Sequence, residues 1–287
     1  MTEDLYSKFC TLPDLHQNPH FSQAMGDIGW TTIGNPGNYL FIRNLGPLSV
    51  AKIQHSNSID LAYLKKIRQK YHTLVTYIEP GLLNSDIGKI GLKVEPFANS
   101  ATSLVDLTLS NIDLLKSFKA KTRYNISYSE RKKHLKIVTK DFIDLNPSDF
   151  AAFKISRESW SKRKKVVCYE ERFFNALIKH FAHSGWIHFA YHQDVCVGTL
   201  MVLKNDKTAI YYAAFADQLG YHLFAPTLLT WIAMATAKKS GCHIFDFGGI
   251  YDPRYKMYKK WVGFTKFKEG FSPTVVYYPP TKLLIGW

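Results

Sequence analysis

The order of elements that most constrains this chain is a strand–loop–helix–strand unit that occurs twice. In the first half, residues 39–43 (YLFIR) are an aromatic and β-branched run that reads as a strand, and residues 44–47 (NLGP) carry a turn signal. Residues 58–70 (SIDLAYLKKIRQK) read as a helix with Ser58 as N-cap and Ile59, Leu61, Ala62, Leu64 and Ile67 as its apolar stripe. Residues 73–78 (TLVTYI) read as the next strand, stopped by Glu79, Pro80 and Gly81. In the second half, 208–215 (TAIYYAAF) reads as a strand and 217–225 as a loop. Residues 226–240 read as a helix with Pro226 in its first turn and Gly241 just past its end, and 243–247 (HIFDF) as a strand. Corresponding elements start at 39 and 208, 58 and 226, 73 and 243, a nearly constant offset without shared identities. That pattern predicts an α/β (α+β) chain of two structurally repeated domains, each a mixed central sheet with flanking helices.

Between the copies the chain reads as helical. Residues 110–121 place Ile112, Leu115 and Phe118 at helical spacing behind Ser110 as a cap, and 122–135 continue with a basic face. A strand starts at Ile137 and Val138, and Asn146-Pro147-Ser148 is a turn and capping signal. The domain boundary is therefore expected near 145, giving domain 1 over 1–145 and domain 2 over 146–271. No Gly/Ser-rich linker separates them.

Charge narrows the partners. The 287 residues carry 37 Lys and Arg against 23 Asp and Glu, a net charge of +14, which favours a polyanion such as nucleic acid, a nucleotide or an anionic surface. Three stretches concentrate it: 116–136, 157–165 (RESWSKRKK) and 254–268, the last interleaved with Tyr255, Tyr258, Trp261, Phe264 and Phe267. Interleaving of that kind suits phosphate contact with stacking; any one cluster alone reads better as a solvated helix face, and it is the three together that bring the two readings level. Four dispersed cysteines form no C-x-x-C and eleven histidines no H-E-x-x-H, so no metal site and no cofactor is expected. The start MTEDLYSKF is not a secretory signal and no run approaches 18 apolar residues, so the expectation is a cytoplasmic protein with reduced thiols.

The segment 244–271 carries the strongest candidate chemistry. Asp246 follows a strand, Gly248-Gly249 permits a tight turn, and the chain returns through Phe267-Lys268-Glu269-Gly270-Phe271. A lysine flanked by Phe267 and Phe271 in a partly apolar cleft can meet a developing oxyanion or a phosphate with little water to screen it. The bland alternative is an edge lysine beside two core aromatics. No G-x-S-x-G elbow and no P-loop is present, and Cys196 lies in an apolar run. Acyl-CoA N-acetyltransferases bind a diphosphate on amides at a Gly-rich turn feeding a helix. The corresponding residues 217–226 (DQLGYHLFAP) hold one glycine and bulky Tyr221 and Phe224, which disfavours a CoA-type donor.

Residues 104–137 (LVDLTLSNIDLLKSFKAKTRYNISYSERKKHLKI), 209–250 and 264–271 (FTKFKEGF), with looser matches at 21–30, 46–47 and 79–80, together resemble the FemABX family of non-ribosomal aminoacyltransferases. The resemblance implies two tandem GNAT-like domains with a cleft between them and, at this length, no coiled-coil arm. It implies that the segment 272–287 returns to domain 1. It implies aminoacyl-tRNA as donor and, as acceptor, the stem-peptide amine of a UDP-MurNAc-peptide or lipid-linked peptidoglycan precursor. Peripheral contact with the inner face of the plasma membrane stays open.

By the same resemblance Lys268 is the functional lysine and Phe267 its neighbour. Tyr212, or alternatively Tyr211, contacts the acceptor. Arg157 or Arg172 is the acceptor-binding arginine, and Asp246 joins the substrate-binding set. The basic clusters would hold tRNA phosphates, with Arg123, Lys132, Lys133, Lys164, Lys165, Lys259 and Lys260 as candidates. The pattern departs from the family at Ser127, where a second arginine is usual, and at Ser272-Pro273, where two glycines are usual. A first-domain lysine for the precursor phosphate has no evident counterpart near residues 26–30. Those departures bear on the acceptor more than on the fold. Two other readings compete: a CoA-dependent N-acyltransferase acting on another amine, and a non-catalytic tRNA- or nucleotide-binding protein.

Overall fold

A computed structural model of the chain describes residues 2–83, 90–96, 98–132, 135–166 and 170–286. The chain divides into two compact units: residues 1–102, 249–262 and 275–287 form the first, and 103–248 with 263–274 the second.

The first unit opens with α1 (Thr2–Thr11) and α2 (Pro19–Asp27), followed by β1 (Thr31–Ile33), β2 (Leu40–Leu45), β3 (Leu48–Ser56), α3 (Leu61–Lys70), β4 (Thr73–Pro80) and the short β5 (Leu92–Lys93). Its sheet order is β1-β2-β3-β4-β13-β5, where β13 is Lys282–Ile285. Strands β3 and β4 are parallel and bridged by α3, and the other pairings are antiparallel. Leu40, Ile42, Ala51, Ile53 and Ile78 on the strands pack against Leu64 and Ile67 of α3.

The strand feeding α3 is β3, not the run at 39–43 that sequence reading assigned. That run lies in the antiparallel neighbour β2. Lys52, Gln54 and His55 interrupt β3 with polar groups, so its sequence LSVAKIQHS does not stand out as a buried strand, yet Gln54 and His55 are buried. The helix cap also shifts: Asp60, not Ser58, accepts the Tyr63 amide at 3.0 Å.

The second unit contains most of β6 (Ala101–Asp106), then α4 (Asn111–Ser117), α5 (Ala120–Lys132), β7 (Lys136–Asp141), α6 (Pro147–Lys164), α7 (Glu171–His180), β8 (Gly185–His192), β9 (Val195–Asn205), β10 (Thr208–Ala216), α8 (Gln218–His222), α9 (Ala225–Lys239) and β11 (Ile244–Gly249). Near the end of the chain α10 (Val262–Lys268) precedes β12 (Thr274–Tyr277). The sheet runs β6-β11-β10-β9-β8-β7, with β10 and β11 parallel across α9 and the β10–β9, β9–β8 and β8–β7 ladders antiparallel. Asn146 caps α6 in a reciprocal capping box with Asp149, as the Asn-Pro-Ser signal implied. The expected loop at 217–225 instead contains α8, capped by Asp217.

The division of the chain differs from the boundary expected near 145. Residues 103–145 belong to the second unit because Leu114, Phe118 and Ile126 of α4 and α5 enter its core and β7 completes its sheet beside β8. Of the segment 272–287 expected with the first domain, residues 275–287 fall in the first unit together with 249–262, and 272–274 fall in the second. The longest helix among the described residues is α6, at 18 residues, and no helix there is long and apolar enough to cross a membrane.

Candidate active site in the second unit

Two local structures bring Lys268 to its place. The first is the parallel pair β10–β11, in which Ile210 stands beside Asp246. Just beyond, β10 slips register against β9 between Tyr211 and Ala213, leaving Tyr212 as the extra residue of a β-bulge. The second is the end of α10. Phe271 anchors it in the core, edge-on to Phe118 at 5.1 Å, 5.3 Å from Phe247 and 5.5 Å from Phe267. Gly270 permits the close approach of α5: a Cβ there would stand 2.5 Å from Thr122 Oγ1, and the Gly270 carbonyl accepts the Lys119 amide at 2.9 Å. The Lys-Thr-Arg-Tyr step and the Phe-Lys-x-Gly-Phe ending therefore meet in space, and two motifs 150 residues apart form one structural unit.

Lys268 is 7% exposed. Its Nζ donates to the Phe247 carbonyl at 2.8 Å and lies 5.7 Å from the Tyr211 ring and 5.1 Å from the Phe264 ring. Burial pushes the ammonium down to about 7, against the opposing pull of the Asp246 carboxylate. Asp246 is itself buried, and its Oδ1 accepts the Gly248 amide at 2.8 Å in a turn where Gly248 takes φ +66°. An amine so placed accepts or releases a proton at neutral pH. As a cation among aromatic faces it attracts any anion that reaches it.

The other expected residues separate into those near Lys268 and those elsewhere. Tyr211 joins it: burial raises its phenol, and its ring packs on Phe245 and Phe247. Tyr212 instead has its ring 6.5 Å from Phe173 of α7. Phe267 packs on Phe271, and Phe264 is the phenylalanine ring within cation–π distance of the lysine. Arg157 is buried, with Nη2 3.7 Å from Glu171 and 3.8 Å from Glu158 and the guanidinium 5.7 Å from the Phe174 ring. Arg172 is exposed and pairs with Glu170 at 2.5 Å.

Of the basic residues, Lys164 and Lys165 are exposed at the end of α6, and Lys259 and Lys260 are exposed in the first unit. Arg123 is turned to a structural task. It donates to the carbonyls of Phe118 and Lys116, closing the C-terminus of α4. Lys133 and the side chain of Lys132 lie outside the described residues.

Two polar networks in the first unit had no signal in sequence. Asp252 is fully buried, accepting from Ser100 Oγ at 2.6 Å and from Arg254 Nη2 at 2.7 Å. Arg254 also donates to the carbonyls of Ser100 and Tyr278, which pins the chain after β11. Asp14 bridges two imidazoles, 2.7 Å from His16 Nδ1 and 3.0 Å from His55 Nδ1. These three side chains have their donor atoms within 4.8 Å of one another, a grouping that neither a C-x-x-C nor an H-E-x-x-H search could reveal. His55 holds φ +52° and stacks face to face on Tyr278 at 3.8 Å. The long-range links in these networks, Asp14 to His55, Ser100 to Asp252 and Asp14 to Tyr278, span 41, 152 and 264 positions, which is why no local pattern marks them.

Residues 117–257 match the family described as acetyltransferase (GNAT) domain. The fold as a whole is similar to the crystal structure of FemX, at 11% identity with a TM-score of 0.78 over 99% of this chain and 96% of that one. It is also similar to the C-terminal domain of a putative lysylphosphatidylglycerol synthetase from Agrobacterium fabrum, at 14% identity with a TM-score of 0.64 over 92% of this chain and 87% of that one. A tandem GNAT protein from the clavulanic acid biosynthesis pathway aligns at 11% identity with a TM-score of 0.51 over 86% of this chain and 78% of that one. No curated protein matches the sequence. The fold is a FemX-like tandem GNAT architecture, as the sequence resemblance implied.

Proposed function

We propose that this chain is an aminoacyltransferase that moves an amino acid from aminoacyl-tRNA to the stem-peptide amine of a peptidoglycan precursor, UDP-MurNAc-peptide or its lipid-linked form. The acceptor amine attacks the ester carbonyl, a tetrahedral oxyanion forms, the ribose hydroxyl leaves, and the proton of the attacking nitrogen ends on that hydroxyl. Ester aminolysis is downhill and needs no covalent enzyme intermediate, so a site without a Ser or Cys nucleophile suits it. In this reading Lys268 supplies the positive charge that the oxyanion or an adjacent phosphate meets, in surroundings dry enough for the interaction to be strong.

The observation that carries the choice of donor is the turn before α9. A CoA diphosphate needs free amides there. The amides of Gly220, Tyr221, Leu223, Phe224, Thr227 and Leu228 all bond within residues 217–228, and Pro226 has none to offer. Gly220 cannot open the turn, because its Cα lies so close to Val197 that an added Cβ would overlap the Val197 carbonyl oxygen. A donor anchored by a long polyanionic body is the better fit to a chain of charge +14.

The test is incubation with a mixture of charged tRNAs and UDP-MurNAc-pentapeptide, reading product mass. A precursor heavier by one aminoacyl residue supports the proposal. Lys268→Ala should then cut single-turnover transfer by about 100-fold or more. Acylation from acetyl-CoA, together with thermal protection by acetyl-CoA and none by tRNA, would replace it with the CoA-dependent reading.

A further inference from the structure

Helix α5 carries Lys121, Tyr124, Tyr128 and Arg131 in steps of three, four and three residues, which places them on one face. Glu130 falls on the opposite side of the helix by the same geometry. The two tyrosine rings stack at 5.5 Å and 17°, and Tyr124, the outer one, is 61% exposed. Tyr128 meets Phe224 edge-on at 6.1 Å. Phe224 is the left-handed residue (φ +56°) that joins α8 to α9. One α8 turn earlier, exposed Tyr221 lies under the Arg163 guanidinium at 4.7 Å, and Lys164 is 5.8 Å from the same ring.

This run of rings is fixed, not incidental. Ser129 Oγ donates to the Leu223 carbonyl at 2.8 Å and ties α5 to the α8–α9 turn. Arg163 Nη2 donates to the Ala216 carbonyl at 2.9 Å, which holds its plane over Tyr221. The result is a ledge on which the rings of Tyr124, Tyr128 and Phe224 follow one another and Tyr221 under Arg163 stands on the preceding α8 turn, with basic residues at both ends and no large aliphatic side chain exposed on the α5 face among the described residues.

We propose that this ledge, from Tyr124 and Tyr128 across Phe224 to Tyr221 and Arg163, binds an unpaired RNA strand, the 3′ end of the donor tRNA. The inference rests on the aminoacyl-tRNA reading and adds aromatic stacking to the basic residues that reading named for tRNA phosphates. Duplex RNA hides its base faces and would use only the cations. Stacked, half-exposed rings with an Arg over one of them match splayed bases and their phosphates. An apolar protein segment would want aliphatic contacts and would gain little from the cations. The ledge sits beside the turn in which the amides of Gly220, Tyr221, Leu223 and Phe224 are already bonded, so in this proposal stacking takes the part that amide binding plays for a diphosphate.

The experiment uses the full chain and fluorescence anisotropy with a short labelled single-stranded RNA ending in CCA, beside a blunt RNA duplex of the same composition. The wild-type chain should bind the single strand more tightly than the duplex. Tyr124→Ala combined with Tyr128→Ala should weaken single-strand binding by about 10-fold or more, while Tyr124→Phe with Tyr128→Phe retains it. Equal binding by the wild-type and alanine chains, or preference for the duplex, overturns the ledge. The transfer assay separates the two ideas. Normal transfer and an unchanged KM for charged tRNA in the alanine variant would reject the ledge and leave the donor assignment standing. Stacking-dependent single-strand binding without transfer from any charged tRNA would do the reverse.

Discussion

At the scale of single residues, Lys268 is the group whose protonation the fold has altered most usefully. An unfolded lysine holds its proton to about 10.4, whereas burial brings this one to about 7. Between those values the unfolded chain binds one more proton than the folded chain, so stability rises with pH across that window, and below it the full cost of burying the charge is present. Lys268→Met removes the cost. It should raise Tm at pH 6.5 by at least ~2 °C, with the gain shrinking as pH approaches 10. A gain that does not change with pH would mean that the ammonium is solvated. Catalysis has the opposite dependence if the cation is the working form. The kcat/KM for transfer should fall as pH rises through about 7, and Lys268→Arg, which stays charged, should shift or flatten that limb at lower overall rate. Asp14 and His55 give a second pH signature. Burial disfavours both charges, but the pair overcomes it, holding the carboxyl far below and the imidazole above their ordinary values. The carboxylate's share is present above about pH 4 and the imidazolium's below about 6.5. Asp14→Asn should therefore lower Tm more at pH 5.5 than at pH 9, and equal losses at the two pH values would contradict the ion pair.

At the scale of elements, the motifs that carried the sequence resemblance turn out to be largely one packing arrangement. Lys119, Thr122 and Arg123 close on Gly270, Phe118 and the end of α4, and Phe271 locks the same corner from the other side. Sequence reading could single out Lys268 as a candidate because its motif is contiguous. It could place α9, with Pro226 at its start and Gly241 (φ +80°) after its end, because those residues fix backbone angles locally. It missed β3, because a strand with Lys52, Gln54 and His55 is stabilised by partners far along the chain. It could not see what holds Arg123 and Arg157 for the same reason: their partners are carbonyls in one case and Glu171 in the other, and neither is marked by a local pattern. The Gly270 contact gives a direct test. Gly270→Ala forces Thr122 aside and should cost ~1–3 kcal/mol. It should also slow transfer by displacing Lys268 two residues away. Adding Thr122→Ala should restore part of both losses, measured by chemical denaturation and single-turnover rates. No recovery in the double variant would place the strain elsewhere.

At the scale of the whole chain, charge and topology make separate demands. An excess of 14 positive charges predicts that the KM for charged tRNA rises steeply with salt, by more than ~10-fold between 50 and 200 mM, while the KM for the small precursor moves far less. Equal salt slopes for the two substrates would argue against a polyanionic donor. Topology bears on the last strand. β13 is contributed by residues 282–285 but lies inside its sheet, antiparallel to β4 on one side and β5 on the other, with Lys282 opposite Ile78 and Ile285 opposite Val75. Removing residues 282–287 therefore strips β4 of a ladder partner along half its length and turns an interior strand into an edge. The second unit has its own core, built on β6 to β11 with α9, and none of those side chains comes from the removed residues. Hydrogen exchange on the truncated chain should show the amides of Thr76 and Ile78 losing protection while those in β9 and β10 keep theirs. Uniform loss across both sheets would show that the two cores stand or fall together, and unchanged protection in β4 would show that β13 adds nothing to the first.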